Sequence, residues 1–515
     1  MIRRLTSEAD DPDRLRICLV IPPSGFLLDE RVFPSLGVLR VAAVLEQNGM
    51  AVDLLDLSGI ENDEEALTSY LSGGAPQFVG FTSTTPQMPA TTRLIEVVRH
   101  RASSARVILG GPHVTLVSSA ATLERRAGRS DRGHAALEQL HSISDVLVSG
   151  DGERAMLVAL QEDAPALVDG DDPKGGLFMS NLTYEDTPLP ARHLIDLESY
   201  HYEIEGKKAT SLVAQLGCPF ECGFCGGRSS KSLRLIRTRS TQSIVDEMEH
   251  LHHRYGYTGF MFYDDELNVN KQMISLMESI AALQKRLGVE FRLRGFVKAE
   301  LFTADQAEAM YCAGFRWLLT GFESGSPRIL ENMNKKATRE DNTRAIQFAR
   351  SAGLKVKALM SLGHPGDSSQ TIDETRDWLL EVKPDDFDCT IITTYPGSPY
   401  YDEAVPNKNW NGVYTYTSRK SGDRLHAFDV DFLQTADYYK GDPKGGYRAY
   451  VFTDHLNGEQ LVAARDTVEQ TVRDDLGIPF NLKAEAKMYE HSMGSGRSLS
   501  DFILRSTRPV PSEEI

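Results

Sequence analysis

Three cysteines within eight residues constrain this chain more than any other feature of its sequence. Residues 217–228 read GCPFECGFCGGR and place Cys218, Cys222 and Cys225 in a C-x3-C-x2-C spacing. Soft thiolates favour iron–sulfur or zinc centres. Structural zinc needs four closed ligands, and the nearest histidines, at 193, 201, 250, 252 and 253, are distant in sequence. The spacing predicts a cluster with one corner open to another ligand; the alternative is three core or zinc-binding cysteines.

The residues around the triplet predict a partial barrel. A short apolar run at 212–216 reads as a strand, so the cysteines would follow its C-terminal end, where barrel enzymes carry their catalytic residues. Further apolar runs separated by amphipathic patterns predict strands at 260–263, 291–295, 317–322, 356–362 and 389–394. Six β/α units favour a partial (β/α)6 barrel over a closed eight-stranded one.

Polar residues follow these predicted strands. They include DDE at 264–266, GFESGS at 321–326, GHPGD at 363–367 and the arginines of strand three, Arg292 and Arg294. Acidic residues in such places can be helix caps, which suits Asp367 and Asp264. That alternative is weaker for Glu323, which lies close to glycines on an apolar strand.

The cysteine motif resembles the signature of the radical S-adenosylmethionine (SAM) superfamily, CxxxCxφC, with Phe224 at the aromatic position. The resemblance implies a [4Fe–4S] cluster on the three cysteines, with SAM chelating the open iron. Carboxylates suit the ammonium and hydroxyls of SAM, and an arginine suits its carboxylate. The predicted SAM-binding residues are Phe224, Asp265, Arg294, Glu323 and Ser324. Here DDE replaces the superfamily's common GGE, and Lys298-Ala-Glu300 stands where an Arg-x-Asp is expected, which leaves the role of that position open.

The N-terminal third predicts a doubly wound, flavodoxin-like parallel sheet. Apolar strand patterns at 16–23, 51–57, 77–85, 105–113 and 144–153 alternate with helical ones. Ligands of such sheets bind at the carboxyl ends of strands. Residues 115–140 read as a polar insertion with helical character, and the Asp-, Gly- and Pro-containing stretch at 161–195 reads as the interdomain linker; we expect both to be solvated connections.

The order of motifs in this third looks like the cobalamin-binding domain of cobalamin-dependent radical SAM enzymes. The resemblance implies cobalamin across the strand ends, whereas the alternative is a sheet without such a ligand. The predicted cobalamin-binding residues are Ser35, Leu36, Ser83, Thr84, Gly110, Gly111, His113, Gly150, Gly152 and Glu153. There is no D-x-H-x-x-G motif, so we do not expect His113 to ligate cobalt; we expect it to line the loop.

These patterns divide the 515 residues into four parts. They are a cobalamin-binding domain (1–160), a linker (161–200), a radical SAM partial barrel (201–400) and a small α+β C-terminal region (401–515) predicted to cap the substrate. The net charge of −17 argues against a general nucleic-acid-binding face. We also expect no membrane span, no signal peptide and a cytoplasmic location, with Cys18, Cys312 and Cys389 as reduced core residues.

Two cofactor sites in one chain imply a reaction. A 5′-deoxyadenosyl radical removes hydrogen from an unactivated carbon, and methylcobalamin releases a methyl group by homolysis. The resemblance therefore implies a cobalamin-dependent radical SAM methyltransferase acting on carbon, or on phosphorus, of a small or peptide-like metabolite. It also implies a low-potential electron donor such as flavodoxin or ferredoxin. Two alternatives are a cobalamin-dependent cyclisation or ring rearrangement without methyl transfer, and a non-catalytic cobalamin and iron–sulfur sensor or electron carrier.

Overall fold

The computed structural model describes residues 15–24, 30–438 and 447–478, and the backbone of two further short strands. Its first layer is a six-stranded parallel sheet in the order β2-β1-β3-β4-β5-β6. The strands are β1 (Arg16–Ile21), β2 (Ala51–Asp56), β3 (Phe78–Thr82), β4 (Arg106–Gly110), β5 (Val146–Gly150) and β6 (Leu167–Gly170). The predicted doubly wound sheet is confirmed.

Helices cover both faces of this sheet because its strands are apolar on both sides. Alternate residues of β1 enter opposite cores: Ile17 and Leu19 pack with α1 and α6, whereas Cys18 and Val20 pack with α2 to α5. The helices are α1 (Leu36–Gln47), α2 (Asp63–Ser72), α3 (Met88–Arg101), α4 (Pro112–Arg126), α5 (Arg132–Ile143) and α6 (Gly152–Ala159).

Two segments differ from their predicted solvated character. Residues 115–140 form most of α4 and α5, and Leu137 and Leu140 of α5 are buried in the core. Within residues 161–200, β6 pairs with β5 as the edge of the sheet, and Leu194 and Leu197 are buried. Several polar residues of these segments are buried as well, among them Ser118, Glu124 and Arg192. The domain boundaries themselves stay a prediction.

The second layer is a seven-stranded sheet in the order β15-β14-β13-β12-β11-β8-β7, in which six consecutive strands run parallel. These are β8 (Lys207–Leu212), β11 (Gly259–Phe262), β12 (Arg292–Phe296), β13 (Phe315–Glu323), β14 (Lys355–Leu362) and β15 (Asp386–Ile391), with β7 (Glu203–Ile204) antiparallel at the edge. The predicted six-unit partial barrel is confirmed.

Helices surround this sheet and close its hydrophobic core. They are α7 (Asn181–Glu185), α8 (Thr241–Tyr255), α9 (Met273–Leu287), α10 (Ala304–Cys312), α11 (Pro327–Asn332), α12 (Arg339–Ser351), α13 (Ser369–Val382) and α14 (Pro399–Asp402). Short 3₁₀ turns lie at Thr85–Gln87, Arg192–Leu194, Leu197–Ser199, Leu267–Val269 and Ala299–Leu301.

The first barrel strand ends earlier than predicted. It ends at Leu212, and β9 (Gln215–Leu216) pairs instead with β10 (Arg237–Thr238). The carboxylate of buried Asp264 accepts hydrogen bonds from the backbone N–H groups of Ala214 and Gln215. Because these N–H groups bond to Asp264, residues 214 and 215 do not continue the hydrogen-bonded pairing of β8 with the barrel sheet, and the chain turns away just before the cysteines. Asp264 therefore supports a backbone bend rather than a helix cap.

The C-terminal region covers the open edge of the partial barrel. The antiparallel strands β16 (Val405–Pro406), β17 (Val413–Thr417), β18 (Arg424–Phe428) and β19 (Val451–Thr453) precede α15 (Gly458–Leu476). On α15, Glu469 accepts from the N–H of Cys389 at 2.7 Å and Arg465 donates to the carbonyl of Cys389 at 3.0 Å. This helix thereby provides hydrogen-bond partners for a backbone N–H and a carbonyl of the edge strand β15 that have no neighbouring strand on that side among the described residues. A last ribbon joins β20 (Met488–His491) and β21 (Leu504–Thr507).

Three cysteines lie away from the triplet. Cys18 and Cys389 are buried, as predicted, but Cys312 at the end of α10 is exposed, so its assignment to the core was wrong. All three are free thiols. None of the helices in the described part of the chain is both long and apolar enough to span a bilayer.

Candidate functional site

The cysteine loop lies at the carboxyl end of the barrel strands and is fixed by backbone hydrogen bonds. The N–H of Cys218 donates to the carbonyl of Leu233 at 3.0 Å, and the N–H of Gly223 donates to that of Met333 at 2.7 Å. The carbonyl of Gly223 accepts from the N–H of Tyr400 at 3.0 Å. A side chain on Gly223 would overlap the Tyr400 ring. These contacts hold the loop against chain segments that are distant in sequence.

The three thiols of the loop are close enough to influence one another's ionisation. Cys225 is exposed at the surface, yet desolvation by the protein around its sulfur raises its pKa to about 12, and the charges of Cys222 and Cys218 raise it further. Burial also raises the pKa of Cys218 to about 11. A bound metal centre would stabilise the thiolates and reverse these shifts.

The donor chemistry of the three thiols fits a cluster. No three His, Cys, Asp or Glu side chains among the described residues surround a single metal ion. The cysteines of a [4Fe–4S] cluster bind different irons of one cuboid, so they need not converge on one point. The donor chemistry and the mutual proximity of the thiols therefore fit such a cluster.

Two buried lysines lie near Cys222. Burial raises the pKa of this thiol, and the charges of Lys335 and Lys298 oppose the shift. The Nζ of Lys335 lies 3.4 Å from Oε1 of Glu323, and that of Lys298 lies 2.8 Å from Oε1 of Glu300. Burial opposes the charge of Lys335, but the carboxylate of Glu323 and other acidic groups nearby outweigh it and raise the pKa of this ammonium group. Sequence reasoning questioned Lys298 and missed Lys335, whose only signal was the run ILENMNK after GFESGS.

A carboxylate near the loop and a guanidinium on β12 have atoms without partners. Oε2 of Glu266 and Nε of Arg294 are buried and form no hydrogen bond within the described residues. Burial raises the pKa of Glu266 to about 7. An acceptor for an ammonium and a donor for a carboxylate together fit a zwitterionic amino acid moiety.

The acidic residue chosen from the sequence was the neighbour of Glu266. Burial raises the pKa of Asp265, and the N–H of Gly217 opposes that shift by hydrogen bonding to its carboxylate. Asp265 thus supports the start of the cysteine loop. The signal for Glu266 was its third place in DDE, which corresponds to the glutamate of GGE.

Glu323 and Phe224 belong to one connected group. Oε2 of Glu323 accepts from the Ser361 hydroxyl at 2.7 Å, and this hydroxyl lies 2.8 Å from Nε2 of His364. The ring of His364 contacts Phe224 edge-to-face with centroids 5.4 Å apart. Burial, helped by the charge of Lys335, lowers the pKa of His364 to about 3, so the imidazole is neutral. Glu323 holds a left-handed backbone with φ 64°, a strained conformation for a non-glycine residue.

Two other predicted or considered residues have structural partners. The hydroxyl of Ser324 lies 3.0 Å from that of Thr375 on α13, so its role toward a ligand stays a prediction. The carboxylate of Asp367 accepts from the N–H groups of Gly363 and His364 and from Thr371. Asp367 therefore stabilises the turn of GHPGD and the start of α13, in agreement with the capping alternative.

The structure brings the predicted cobalamin-binding residues together at the carboxyl ends of neighbouring strands in the first sheet. They follow the adjacent strands β1, β3, β4 and β5: Ser35 and Leu36 begin α1, Ser83 and Thr84 follow β3, Gly110, Gly111 and His113 follow β4, and Gly150, Gly152 and Glu153 follow β5. Gly111 has φ 97°, and a side chain there would meet the backbone N of Ser83. Among the described residues, and apart from its own helix backbone and chain neighbours, no atom lies within 4 Å of where a side chain on Gly37 would begin. Open backbone at a sheet edge fits a large flat ligand.

His113 lies among these residues at the carboxyl ends of the strands. It is buried, and its Nδ1 lies 3.0 Å from the hydroxyl of Thr85. Burial lowers its pKa to about 4, so the imidazole is neutral. Its ring contacts Phe432 of the C-terminal region with centroids 6.2 Å apart.

Direct contacts join the cysteine loop to the first sheet. Leu116 of α4 packs so closely on Gly226 that a side chain on the glycine would meet it at 2.9 Å. Asp171, just after β6, accepts from the hydroxyls of Ser230 and Ser232 at 2.8 and 2.6 Å. Arg237 of β10 forms an ion pair with Asp151 after β5. The two candidate cofactor sites are therefore held in one fixed arrangement.

Two family models match the chain. Residues 212–379 match the Radical SAM superfamily, and residues 30–141 match the B12 binding domain. The first match contains the three cysteines and all predicted SAM-binding residues. The second contains the predicted cobalamin-binding residues except those that follow β5.

Curated relatives and solved structures extend these matches. A protein named as an uncharacterized methyltransferase from Pyrococcus horikoshii is 24% identical over 78% of this chain and 86% of its own length. The anaerobic magnesium-protoporphyrin IX monomethyl ester cyclase of Cereibacter sphaeroides is 25% identical over 66% of this chain and 55% of its own length. In fold, the chain resembles the radical SAM methyltransferase TsrM from Kitasatospora setae with cobalamin and a [4Fe–4S] cluster bound: the TM-score is 0.60, with 18% identity over 79% of this chain and 81% of that one.

Proposed function

The chain belongs to the cobalamin-dependent radical SAM enzyme family, and on that premise we propose that it is a methyltransferase. Its cofactors are a [4Fe–4S] cluster, SAM and cobalamin. The proposed target is an unactivated carbon, or phosphorus, of a small or peptide-like metabolite. Curated relatives named as methyltransferases support this proposal, among them a hopanoid C-3 methylase and a cytidylyl-2-hydroxyethylphosphonate methyltransferase.

The proposed roles of the residues follow from their chemistry. Cys218, Cys222 and Cys225 would hold the cluster, while Glu266 and Arg294 would bind the amino acid end of SAM. When bound, SAM with the cluster supplies a carbon-centred radical and cobalamin supplies the methyl group. The buried surroundings of the loop would exclude water from that radical. Neutral His364 would keep the orientation of Phe224 without adding charge.

One observation carries the proposal: Leu116 of the first layer packs against Gly226, which directly follows Cys225 in the barrel. A methyl group can be transferred to a substrate radical only if both cofactors reach the same substrate. Direct packing between the two layers beside the cysteine loop provides that proximity.

The cyclase relative supports a second candidate, a ring-forming reaction without methyl transfer. This chain spans about half the length of that cyclase. The two candidates would share the cofactors and the cysteine loop. The mass of the product separates them, since methylation adds one CH₂ to the substrate formula and cyclisation does not.

The test begins with protein that is purified anaerobically and loaded with iron, sulfide and hydroxocobalamin. It is reduced with SAM in the presence of candidate metabolites, and 5′-deoxyadenosine and S-adenosylhomocysteine are counted by mass spectrometry. Methyl transfer predicts one molecule of each per methylated product. Cys222→Ala should lose both products and its iron, whereas the matched control, Cys312→Ala, should keep them. SAM cleavage that persists in Cys222→Ala would contradict the proposed cluster site.

Two further expectations belong with this proposal. The cluster would need a low-potential one-electron donor such as flavodoxin or ferredoxin. We also propose a cytoplasmic location, because free thiols and an oxygen-sensitive cluster suit a reducing compartment.

A further inference from the structure

Five basic residues surround the outer side of the cysteine loop, although the whole chain carries a net charge of −17. This basic patch comprises Arg228, Lys231, Arg234, Lys336 and Arg419. Lys231, Lys336 and Arg419 are exposed, and the two other arginines are partly exposed. A positive surface on an acidic protein attracts negatively charged partners to that place and repels them elsewhere.

Hydrogen bonds and ion pairs show that the patch adjoins the loop. Arg234 donates to the carbonyls of Phe220 and Pro219 at 3.2 and 2.8 Å, between the first two cysteines. Arg228 and Arg234 both lie near Oε1 of Glu221, at 3.3 and 3.6 Å. Because Glu221 stands directly before Cys222, these arginines border the proposed cluster.

The lysines and Arg419 extend the patch outward. Lys231 begins a turn in which its own carbonyl accepts hydrogen bonds from the N–H groups of Arg234 and Leu235 at 3.2 and 2.9 Å. On the other side, Asn334 donates to the carbonyl of Glu221 at 2.8 Å, and Lys336 follows two residues later.

Tyr416 links Arg419 to the same surface. Burial raises the pKa of Tyr416, and the charges of Arg419 and Arg228 both oppose the shift, so the two guanidiniums lie near one phenol. Arg419 is 81% exposed and pairs with Glu403 at 3.1 Å. The patch is therefore continuous from the cysteine loop to the C-terminal sheet.

Much of the charge remains available to a partner. Glu221 and Glu403 offset part of the charge of the arginines. By contrast, neither Lys231 nor Lys336 forms an ion pair with any carboxylate in the described ranges. Leu235, whose N–H donates to the carbonyl of Lys231, has 44% of its surface exposed. An apolar residue bordered by free cations is typical of a transient docking surface.

We propose that the basic patch is the docking surface for an acidic one-electron carrier protein, and this inference rests on the proposed function. The carrier would be oxidised by one electron, and the cluster held by the cysteine triplet would be reduced by one electron, so that the step balances without another reactant. The patch adjoins the cysteine loop through Arg228 and Arg234, so a carrier bound there would lie next to the proposed cluster. Charge complementarity would direct the carrier there and align it.

Direct binding tests this proposal without relying on turnover. Oxidised flavodoxin, an acidic carrier, is titrated calorimetrically into the cluster-loaded protein at low and high salt. Lys231→Glu/Lys336→Glu should weaken binding about tenfold at low salt, because it reverses two exposed cations, and added salt should shrink the difference. The matched control, Arg101→Glu/Lys285→Glu, reverses two exposed charges on the outer helices α3 and α9 and should bind like the parent.

A second readout separates docking from chemistry. With reduced flavodoxin, the double variant should form 5′-deoxyadenosine more slowly than the parent, and with titanium(III) citrate both should react equally. Unchanged flavodoxin binding in the patch variant, or an equal loss in the control, would overturn the docking surface. If the parent protein cleaves no SAM with titanium(III) citrate and candidate substrates, the proposed function fails, while the binding data still decide whether the patch docks the carrier.

Discussion

Glu247 provides a quantitative test of what holds the barrel to the segment before it. Its side chain on α8 is 2% exposed and lies between two arginines. Oε1 accepts from Arg192 at 2.7 Å, and Oε2 pairs with Arg239. Arg192 also donates to the carbonyl of Ser211 in β8 at 2.9 Å. Glu247→Gln would leave two buried guanidiniums with no negative charge between them.

Two arguments give a similar value for the stability that the ionised carboxylate of Glu247 contributes. Burial opposes ionisation of Glu247, but Arg192 and Arg239 outweigh it and lower the pKa from 4.5 to about 2. That difference corresponds to about 3 kcal/mol of stability. Removal of one partner from a buried ion group typically costs roughly 3–5 kcal/mol. Because the folded pKa is depressed, the stabilisation is complete above pH 4.5 and is lost as the pH falls toward 2.

Hydrogen exchange measured by mass spectrometry suits this test because it reports local opening and does not require two-state unfolding of the whole chain. Peptides from α8 should exchange roughly a hundredfold faster in Glu247→Gln at neutral pH. Glu249→Gln, on the same helix but in an exposed pair with Arg286, should exchange like the parent. Equal protection in Glu247→Gln and the parent, or equal loss in both variants, would refute the assignment.

Two further predictions concern the edge of the first sheet. Gly111→Ala should reduce cobalamin retention, measured by visible absorbance after gel filtration, at least tenfold. It combines φ 97° with a clash against the backbone of Ser83. Gly128→Ala, at φ 66° with open space around it, should retain cobalamin like the parent; equal loss would point to backbone strain alone. Burial lowers the pKa of His113 from 6.5 to about 4. The free energy of unfolding is therefore unaffected by this group above pH 6.5 and decreases by about 3 kcal/mol as the pH falls toward 4, because the unfolded state binds the proton more tightly. His113→Gln should remove that pH dependence of the free energy of unfolding. If NMR shows that the imidazole of the parent protein titrates near pH 6.5, the prediction is wrong.

Strand positions were predictable where periodicity and turn chemistry agreed. Five of the six parallel barrel strands and the first five strands of the N-terminal sheet lie at or near the predicted positions. The prediction failed at 212–216, because the carboxylate of Asp264, some 50 residues away, bonds the N–H groups of Ala214 and Gln215. It also failed at β6, which is only four residues long and lies among Asp, Gly and Pro. A short edge strand of this kind forms only because β5 is already in place to pair with it.

The sequence by itself determined the chemistry of the two sites. Cys218, Cys222 and Cys225 are so near in the chain that their loop brings them together locally, and the small residues after each strand meet because parallel strands end at one edge. Only the tertiary structure decided which neighbours those groups have. Lys335 reaches the surroundings of Cys222, and Leu116 reaches Gly226, across more than a hundred residues. Such contacts depend on how sheets and helices pack, which no local pattern encodes.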